Sequence, residues 1–319
     1  MTSRPLRIGT RRSELALRQA RMVQAALEQL GRASELVTFD TLGDQRLDQP
    51  LSTMGAKGIF TAELERALRL GEVDCCAHSL KDLPTDDPPG TEIVAVLPRE
   101  DPRDVLVVRA GSACESVLDL PPGAAVGTSS LRRRAQLLAL RPDVRVQELR
   151  GNVPTRLRKV DEGECDAAIL AAAGLLRLGA RDRIRAFLDA PAWLPAAGQG
   201  AVAIQALSAD AGLCATLRAL SHDPTMIATR AERSVLAALQ GGCQVPIGAL
   251  VVGTGADAVL HALVSDVDGT TVVRASAPLD ERDPCGGGTR LAVELLRRGA
   301  GDILQALERG GRVPAPQPE

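Results

Sequence analysis

Cys243 stands in Gly241-Gly242-Cys243-Gln244-Val245-Pro246, a loop that follows the strongly helical run Thr225–Leu239. Paired glycines can take the left-handed conformations that end a helix and turn the chain sharply. A thiol set there is partly exposed, and an ordinary pKa of ~8.5 leaves a small thiolate fraction near neutrality. On its loop alone Cys243 is one of seven cysteines, a small residue after a helix. Any larger role has to come from the rest of the chain.

Cations gather where strands are expected to end: Arg11, Lys57, Lys81, Arg132, Arg133, Arg150, Arg156 and Arg177. Singly, each would be a solvated surface charge, which is the default for Arg12, Arg134 and Lys159. Several from different segments on one edge make a site for a small polyanion. Arginine forks suit carboxylates and phosphates, and a hydrogen bond to a charged group is worth ~1.5–3 kcal/mol net. Helix N-termini after Gly9-Thr10 and Gly127-Thr128 would add backbone N–H donors. Asp82 is the odd acid in this basic setting. With an ordinary pKa of ~3.9 it is ionised, and it could steady a cationic intermediate or shuttle a proton. It could equally be a turn former before Pro84. His78 and Ser79 are neighbours on an extended segment and face opposite ways, and no G-x-S-x-G elbow occurs, which argues against a Ser–His triad. There is no phosphate-binding Walker loop, and Gly198-Gln199-Gly200 is not a dinucleotide fingerprint.

The elements that would position these residues recur. Leu6-Arg7-Ile8 reads as a strand, Gly9 to Ser13 as a turn, and Ala16, Ala20, Val23, Leu27 and Leu30 as the apolar stripe of a helix stopped by Gly31. A strand Leu36–Phe39 precedes an irregular stretch, Gly43 to Gly58, of the length expected of a lid or binding loop. A helix from about Ile59 to Leu70 and a buried strand Val73–Ala77 then deliver His78 to Pro84. The phrase repeats as Ala125-Val126-Gly127-Thr128-Ser129-Ser130, a strand Val144–Leu149, a helix near Pro154 and a strand Ala167–Leu170. Two similar α/β units with mostly parallel sheets would form a hinged cleft, binding ligand outside the carboxyl ends of their strands. A turn at Gly198-Gln199-Gly200 leads to a strand near Ala201–Ile204 that returns the chain to the first unit. From Ser221 the pattern becomes α+β, with strands Ile247–Val252, Val259–Val264 and Thr271–Ala275. Asp268-Gly269 serves as a hairpin signal, and a helix spans Thr289–Arg298. The resulting domains are 1–100 with 197–220, then 101–196, then 221–319. The Pro-rich end, Val313–Glu319, reads as disordered.

A chain of 319 residues with 45% hydrophobic and 24% charged residues has ample material for several cores. Three Phe, one Trp and no Tyr leave aliphatic residues to fill them. A net charge of −2 and the scarcity of aromatics argue against a nucleic-acid partner. Scattered cysteines, no CxxC and no secretory signal indicate a reducing cytoplasm without disulfides, and three His leave no metal site. No apolar run is long enough to cross a membrane.

Taken in order, these stretches resemble the porphobilinogen deaminase (hydroxymethylbilane synthase) family across nearly the whole chain. The resemblance is carried by Arg7-Ile8-Gly9-Thr10-Arg11, Lys57-Gly58-Ile59-Phe60, His78 to Pro84 and Gly127 to Arg133. It continues through Arg150-Gly151-Asn152-Val153, Leu194 to Gly200 and Gly241 to Pro246. It implies α/β architecture, with two periplasmic-binding-protein-like domains forming a hinged cleft and a small α+β C-terminal domain. It also implies a dipyrromethane cofactor joined by a thioether to Cys243, and a transferase that adds four porphobilinogens head to tail, each losing ammonia. Hydrolysis then releases hydroxymethylbilane.

By the same resemblance Asp82 is the catalytic carboxylate, meeting pyrrole N–H groups and an azafulvenium-like cation. Ser79, Lys81, Thr128, Ser130, Arg132, Arg133, Arg150 and Arg156 hold the cofactor. Arg11, Ser13, Phe60, Arg177 and Gln199 serve the incoming substrate, in a cytoplasmic monomer. The sequence departs from relatives at Thr53, where some place a lysine, and at Cys75-Cys76, read as strand packing. A two-lobed carboxylate-binding protein without catalysis is the main rival. A cysteine-dependent enzyme with Cys243 as turnover nucleophile is the second.

Overall fold

A computed structural model describes residues 4–40, 61–239 and 245–309. Thr53, Lys57, Phe60, Cys243, the Gly43–Gly58 stretch and the Pro-rich end lie outside the described residues. The chain groups into two units. One takes in the described residues up to 100 together with 200–226, and the other takes in 101–199 and the described residues beyond 226.

In the first unit β1 (Leu6–Arg11) runs parallel to both β2 (Ser34–Phe39) and β3 (Cys75–Ser79). Helix α1 (Glu14–Gln29) starts where Ser13 Oγ accepts the Ala16 N–H, and Gly31 follows its end at φ 70°. Its buried Ala20, Val23 and Leu27 cover Ile8, Cys75 and Ala77 on one face of the sheet. Helix α2 (Ala62–Arg69) packs Leu64, Ala67 and Leu68 over Val73 and Cys76 on the other. The two adjacent cysteines are therefore packing residues on opposite faces, and burial raises the Cys75 thiol pKa to about 12.

The sheet is completed by β4 (Thr91–Val96) and by β10 (Val202–Leu207), which lies between β3 and β4 in the order β2-β1-β3-β10-β4. Because β10 arrives from far along the chain, it runs antiparallel to both neighbours. The sheet is mixed through β10 alone: the other four strands run one way, as the mostly parallel reading of the sequence expected.

The second unit repeats this plan. Strands β5 (Asp104–Val108), β6 (Ala125–Gly127), β7 (Arg145–Gln147), β8 (Ala167–Ala171) and β9 (Ala186–Leu188) take the order β7-β6-β8-β5-β9. Here β5 is the antiparallel insert. Helix α3 (Leu131–Leu140) follows β6 as α1 follows β1, and α4 (Val153–Asp161) and α5 (Ala172–Arg177) flank β8. The repeated glycine is required by close approach. A Cβ on Gly9 would lie 2.8 Å from Cys76 Sγ, and one on Gly127 would lie 3.0 Å from Cys165 Sγ. Both sheets are five-stranded and share one strand plan, with helices packed against them.

After α6 (Ala211–Arg218) and α7 (Asp223–Ala238) comes an antiparallel sheet of β11 (Ile247–Val252), β12 (Val259–Ser265) and β13 (Val272–Pro278). Gly269 has φ 71° in the β12–β13 connection, as the hairpin signal requires. Helix α8 (Pro284–Leu295) begins five residues before the expected Thr289, capped by Asp283 with Pro284 in its first turn. Gly288 lies inside it because any Cβ there would strike the Ala231 carbonyl and Ser234 Oγ of α7. A final helix, α9 (Gly301–Arg309), follows a break at Gly299.

Strand β11 docks on the segment after β9. Ala249 N–H donates to the Pro195 carbonyl at 3.1 Å, and a Cβ on Gly248 would come within 2.9 Å of Leu194 Cβ and 3.0 Å of its carbonyl oxygen. Gly248→Ala is therefore expected to destabilise the protein by about 1–3 kcal/mol through overpacking. Urea unfolding reads this, and an unchanged midpoint would show that the contact is slack.

Candidate active site

In the first unit the expected residues sit at the carboxyl ends of β1 and β3. Arg11 is the last residue of β1, and Ser13 caps α1 two residues on. Thr10 is buried and its hydroxyl donates to the Ala16 carbonyl at 3.2 Å, fixing the strand-to-helix turn. Ser79 ends β3 and its Oγ accepts from Gln19 Nε2 at 2.7 Å, so it is tied to α1 and not to His78.

His78 is buried. Burial, reinforced by the charge of Arg11 and opposed by Gln205, lowers its pKa to about 4, leaving a neutral imidazole at pH 7. An unfolded imidazole near 6.5 binds its proton more readily, so this residue's contribution to stability is complete above pH ~6.5. That contribution is lost as pH falls towards 4. His78→Gln should flatten the dependence of unfolding free energy on pH in that window. Chemical denaturation at a series of pH values tests it, and an undiminished slope would place the titration elsewhere.

Beyond β3 the chain makes a 3₁₀ turn, Leu80–Asp82. The Leu80 N–H donates to the Ala201 carbonyl at 3.0 Å, and Leu83 N–H closes the turn on the Leu80 carbonyl at 3.2 Å. Leu80 and Leu83 are buried with Val96, Ala201 and Ala203. Two buried leucines thus bracket half-buried Lys81 and Asp82 and hold them on a rigid turn.

In the second unit Thr128 is buried and its Oγ1 accepts the Ser130 N–H, while Ser130 Oγ caps α3 by accepting the Arg133 N–H. Arg132 and Arg133, in the first turn of α3, are both buried on Asp104. Arg132 Nη1 reaches Oδ2 at 2.6 Å, and Arg133 Nη2 reaches Oδ1 at 2.7 Å. Burial pushes the Asp104 pKa up, but the two guanidiniums outweigh it and hold the carboxyl well below the usual carboxylate range. Arg133 is fully enclosed. Its Nε also meets Asp104, and its Nη1 donates to the Ile169 carbonyl at 2.9 Å.

Trp193 Nε1 and Gln199 Nε2 donate to the same carboxylate at 2.7 and 2.8 Å. Arg150 pairs with Glu148, its Nε 2.6 Å from Oε1. Arg156, buried in α4, donates from Nε to the Gly151 carbonyl at 2.7 Å. Arg177 is the last residue of α5. The arginines and lysine read as surface charges do pair at the surface: Arg12 with Asp40, Arg134 with Asp268 and Lys159 with Glu164.

Asp104 is the residue that sequence reasoning missed. Its signal was an acid opening the apolar run Val105-Leu106-Val107-Val108, every member of which is buried. Among the described residues no group of three or more His, Cys, Asp or Glu is placed to hold a metal ion, and no helix is long and apolar enough to cross a membrane.

A family model described as the porphobilinogen deaminase dipyrromethane cofactor binding domain matches residues 6–215, and one for the C-terminal domain of that family matches 226–297. A porphobilinogen deaminase from Syntrophobacter fumaroxidans is 48% identical over 315 residues, covering 97% of this chain and 100% of that protein. Among solved structures, the methionine binding protein MetQ overlays with TM-score 0.44 at 15% identity, covering 74% of this chain and 94% of its own. A nutrient binding protein from Burkholderia cenocepacia bound to methionine gives 0.43 at 16%, covering 66% and 89%. At such TM-scores neither overlay bears on the assignment, which rests on the sequence matches. The chain belongs to the porphobilinogen deaminase family.

Proposed function

We propose that this protein is a hydroxymethylbilane synthase. It joins four porphobilinogen molecules head to tail on a covalently held dipyrromethane primer and releases the linear tetrapyrrole. The observation that carries this reading is the placement of Asp82. It follows Lys81 on a turn held by Leu80 and Leu83, inside the stretch that matches the cofactor-binding domain. Each addition forms a carbon–carbon bond at a pyrrole α-carbon, breaks the aminomethyl C–N bond of the incoming substrate, and releases ammonia and the ring proton.

The donor set fits a dipyrromethane, whose ring substituents are carboxylates. Lys81, Arg132, Arg150 and Arg156 supply cations, and Ser79, Thr128 and Ser130 supply hydroxyls, on strand ends, the turns that follow them or first helical turns. When bound, through Cys243, the cofactor supplies the terminal ring that is extended. Asp82 accepts pyrrole N–H hydrogen bonds and offsets the positive charge left on the substrate as ammonia departs, an electrostatic role that strengthens as water is excluded. Arg11, Ser13, Arg177, Gln199 and Phe60 receive the incoming substrate. Arg133, enclosed on Asp104, belongs to the same cofactor-binding set. The enzyme works as a cytoplasmic monomer divided into domains at 1–100 with 197–220, 101–196 and 221–319, without nucleic-acid or membrane partners.

The test is turnover of porphobilinogen by the purified protein, following ammonia and bilane together. Four ammonia per bilane is expected. Porphobilinogen bound without ammonia release would instead favour a carboxylate-binding protein.

A further inference from the structure

Asp104 gathers five N–H contacts from four side chains on two segments: Arg132 and Arg133 of α3, and Trp193 and Gln199 beyond β9. The fold itself does not demand this. Asp104 lies on the antiparallel insert β5 opposite Ala171, the last residue of β8. In the first unit the matching residue of β10, opposite Ser79 at the end of β3, is Val202, which is fully buried. The same place in the same sheet plan is thus filled by an apolar side chain. Replacing a buried ion pair by packed apolar groups is often neutral or stabilising, so a buried charge cluster is poorly explained by stability alone.

The cluster has a directional consequence. Arg132 Nη1 donates to the Leu194 carbonyl at 2.9 Å as well as to Asp104. Gln136, one turn further along α3, clamps Leu194 from both sides, its Nε2 on the carbonyl at 2.9 Å and its Oε1 on the N–H at 2.8 Å. The next carbonyl, Pro195, accepts from Ala249 of β11. Gln199 is pinned between Asp104 and the Pro102 carbonyl at 2.7 Å. One carboxylate therefore sets the orientation of Arg132 and Gln199 and the register of the segment on which β11 docks.

We propose that Asp104 is a positioning residue for carboxylate recognition: braced by Gln199, it holds Arg132 in the geometry that receives the carboxylates of the cofactor and the growing chain. This rests on the functional reading above. Because Asp104 stays ionised far below neutrality, its hold does not vary across the working pH range.

The experiment loads cofactor-free protein with porphobilinogen and follows the gain in intact mass, with unfolding temperature measured alongside. Asp104→Asn, and Asp104→Glu, which keeps the charge but moves it by one methylene, are each expected to load at least tenfold more slowly at temperatures where they are fully folded. Trp193→Phe removes a donor from the same carboxylate yet leaves both arginine pairs. It is expected to lower the unfolding temperature and load within twofold of the parent. If the Asn variant does not fold, the Glu variant decides. Loading at the parental rate by a folded Asp104 variant overturns the proposal, as does an equal slowing in Trp193→Phe. A parent protein that gains no mass would instead sink the functional reading, a distinguishable result.

Discussion

Asp82→Asn is expected to yield a folded protein that keeps its cofactor and loses about 10²–10⁴-fold in turnover, the range for removing a positioned ionisable group. The substitution is nearly isosteric, and the turn that carries it is held by Leu80, Leu83 and the Leu80 N–H to Ala201 carbonyl bond, none of which involves the carboxylate. The loss should fall on kcat, because the charge that Asp82 offsets develops as ammonia leaves. Steady-state kinetics with porphobilinogen, read beside an intact mass that shows the cofactor retained, separates this from a folding defect. Turnover within a few-fold of the parent would remove Asp82 from the chemistry.

Cys243→Ala should be the other large effect. Its purified protein is expected at the bare sequence mass with no measurable bilane formation, because the primer has no sulfur to join. Its unfolding temperature should also fall, since a bound group that contacts only the native state stabilises it by linkage. Were Cys243 a turnover nucleophile, the parent would show the adduct only while substrate is present and would lose it on standing. An anchored cofactor stays through every cycle.

Much of the frame was legible because it depends on local rules. The helix after β1 was readable from its apolar stripe and from Gly31, and β11 was read at Ile247–Val252, where the strand lies. The repeat of the Gly-Thr phrase marked two sheets of one plan, and the packing of Gly9 on Cys76 and of Gly127 near Cys165 gives its physical reason. Other features are tertiary and leave little local trace. The antiparallel course of β10 depends on a strand returning from residue 202 to pair with residue 79. The early start of α8 was masked by Gly286-Gly287-Gly288, a poor helical sequence that is tolerated because Gly288 must pass the backbone of α7.

The basic residues show the same division. Their clustering at strand ends could be read from the order of motifs, but their partners could not. Arg133 reads like any exposed helical arginine, yet it is enclosed by an acid 29 residues earlier in the chain. Arg156 was placed correctly in the helix, but the strand before it stops at Gln147 and leaves Arg150 in the connection, where the Glu148 and Gly151 contacts that orient the two arginines arise. Charge identified the class of ligand, and burial decides which guanidiniums reach it directly.

The central claim is a cofactor built of two linked pyrroles and carried permanently on Cys243. The most direct measurement is the intact mass of the purified, denatured protein before any substrate is added. The expected result is the sequence mass plus two linked pyrrole units, localised by peptide mapping to the peptide containing Cys243. An active protein at the bare sequence mass would contradict it.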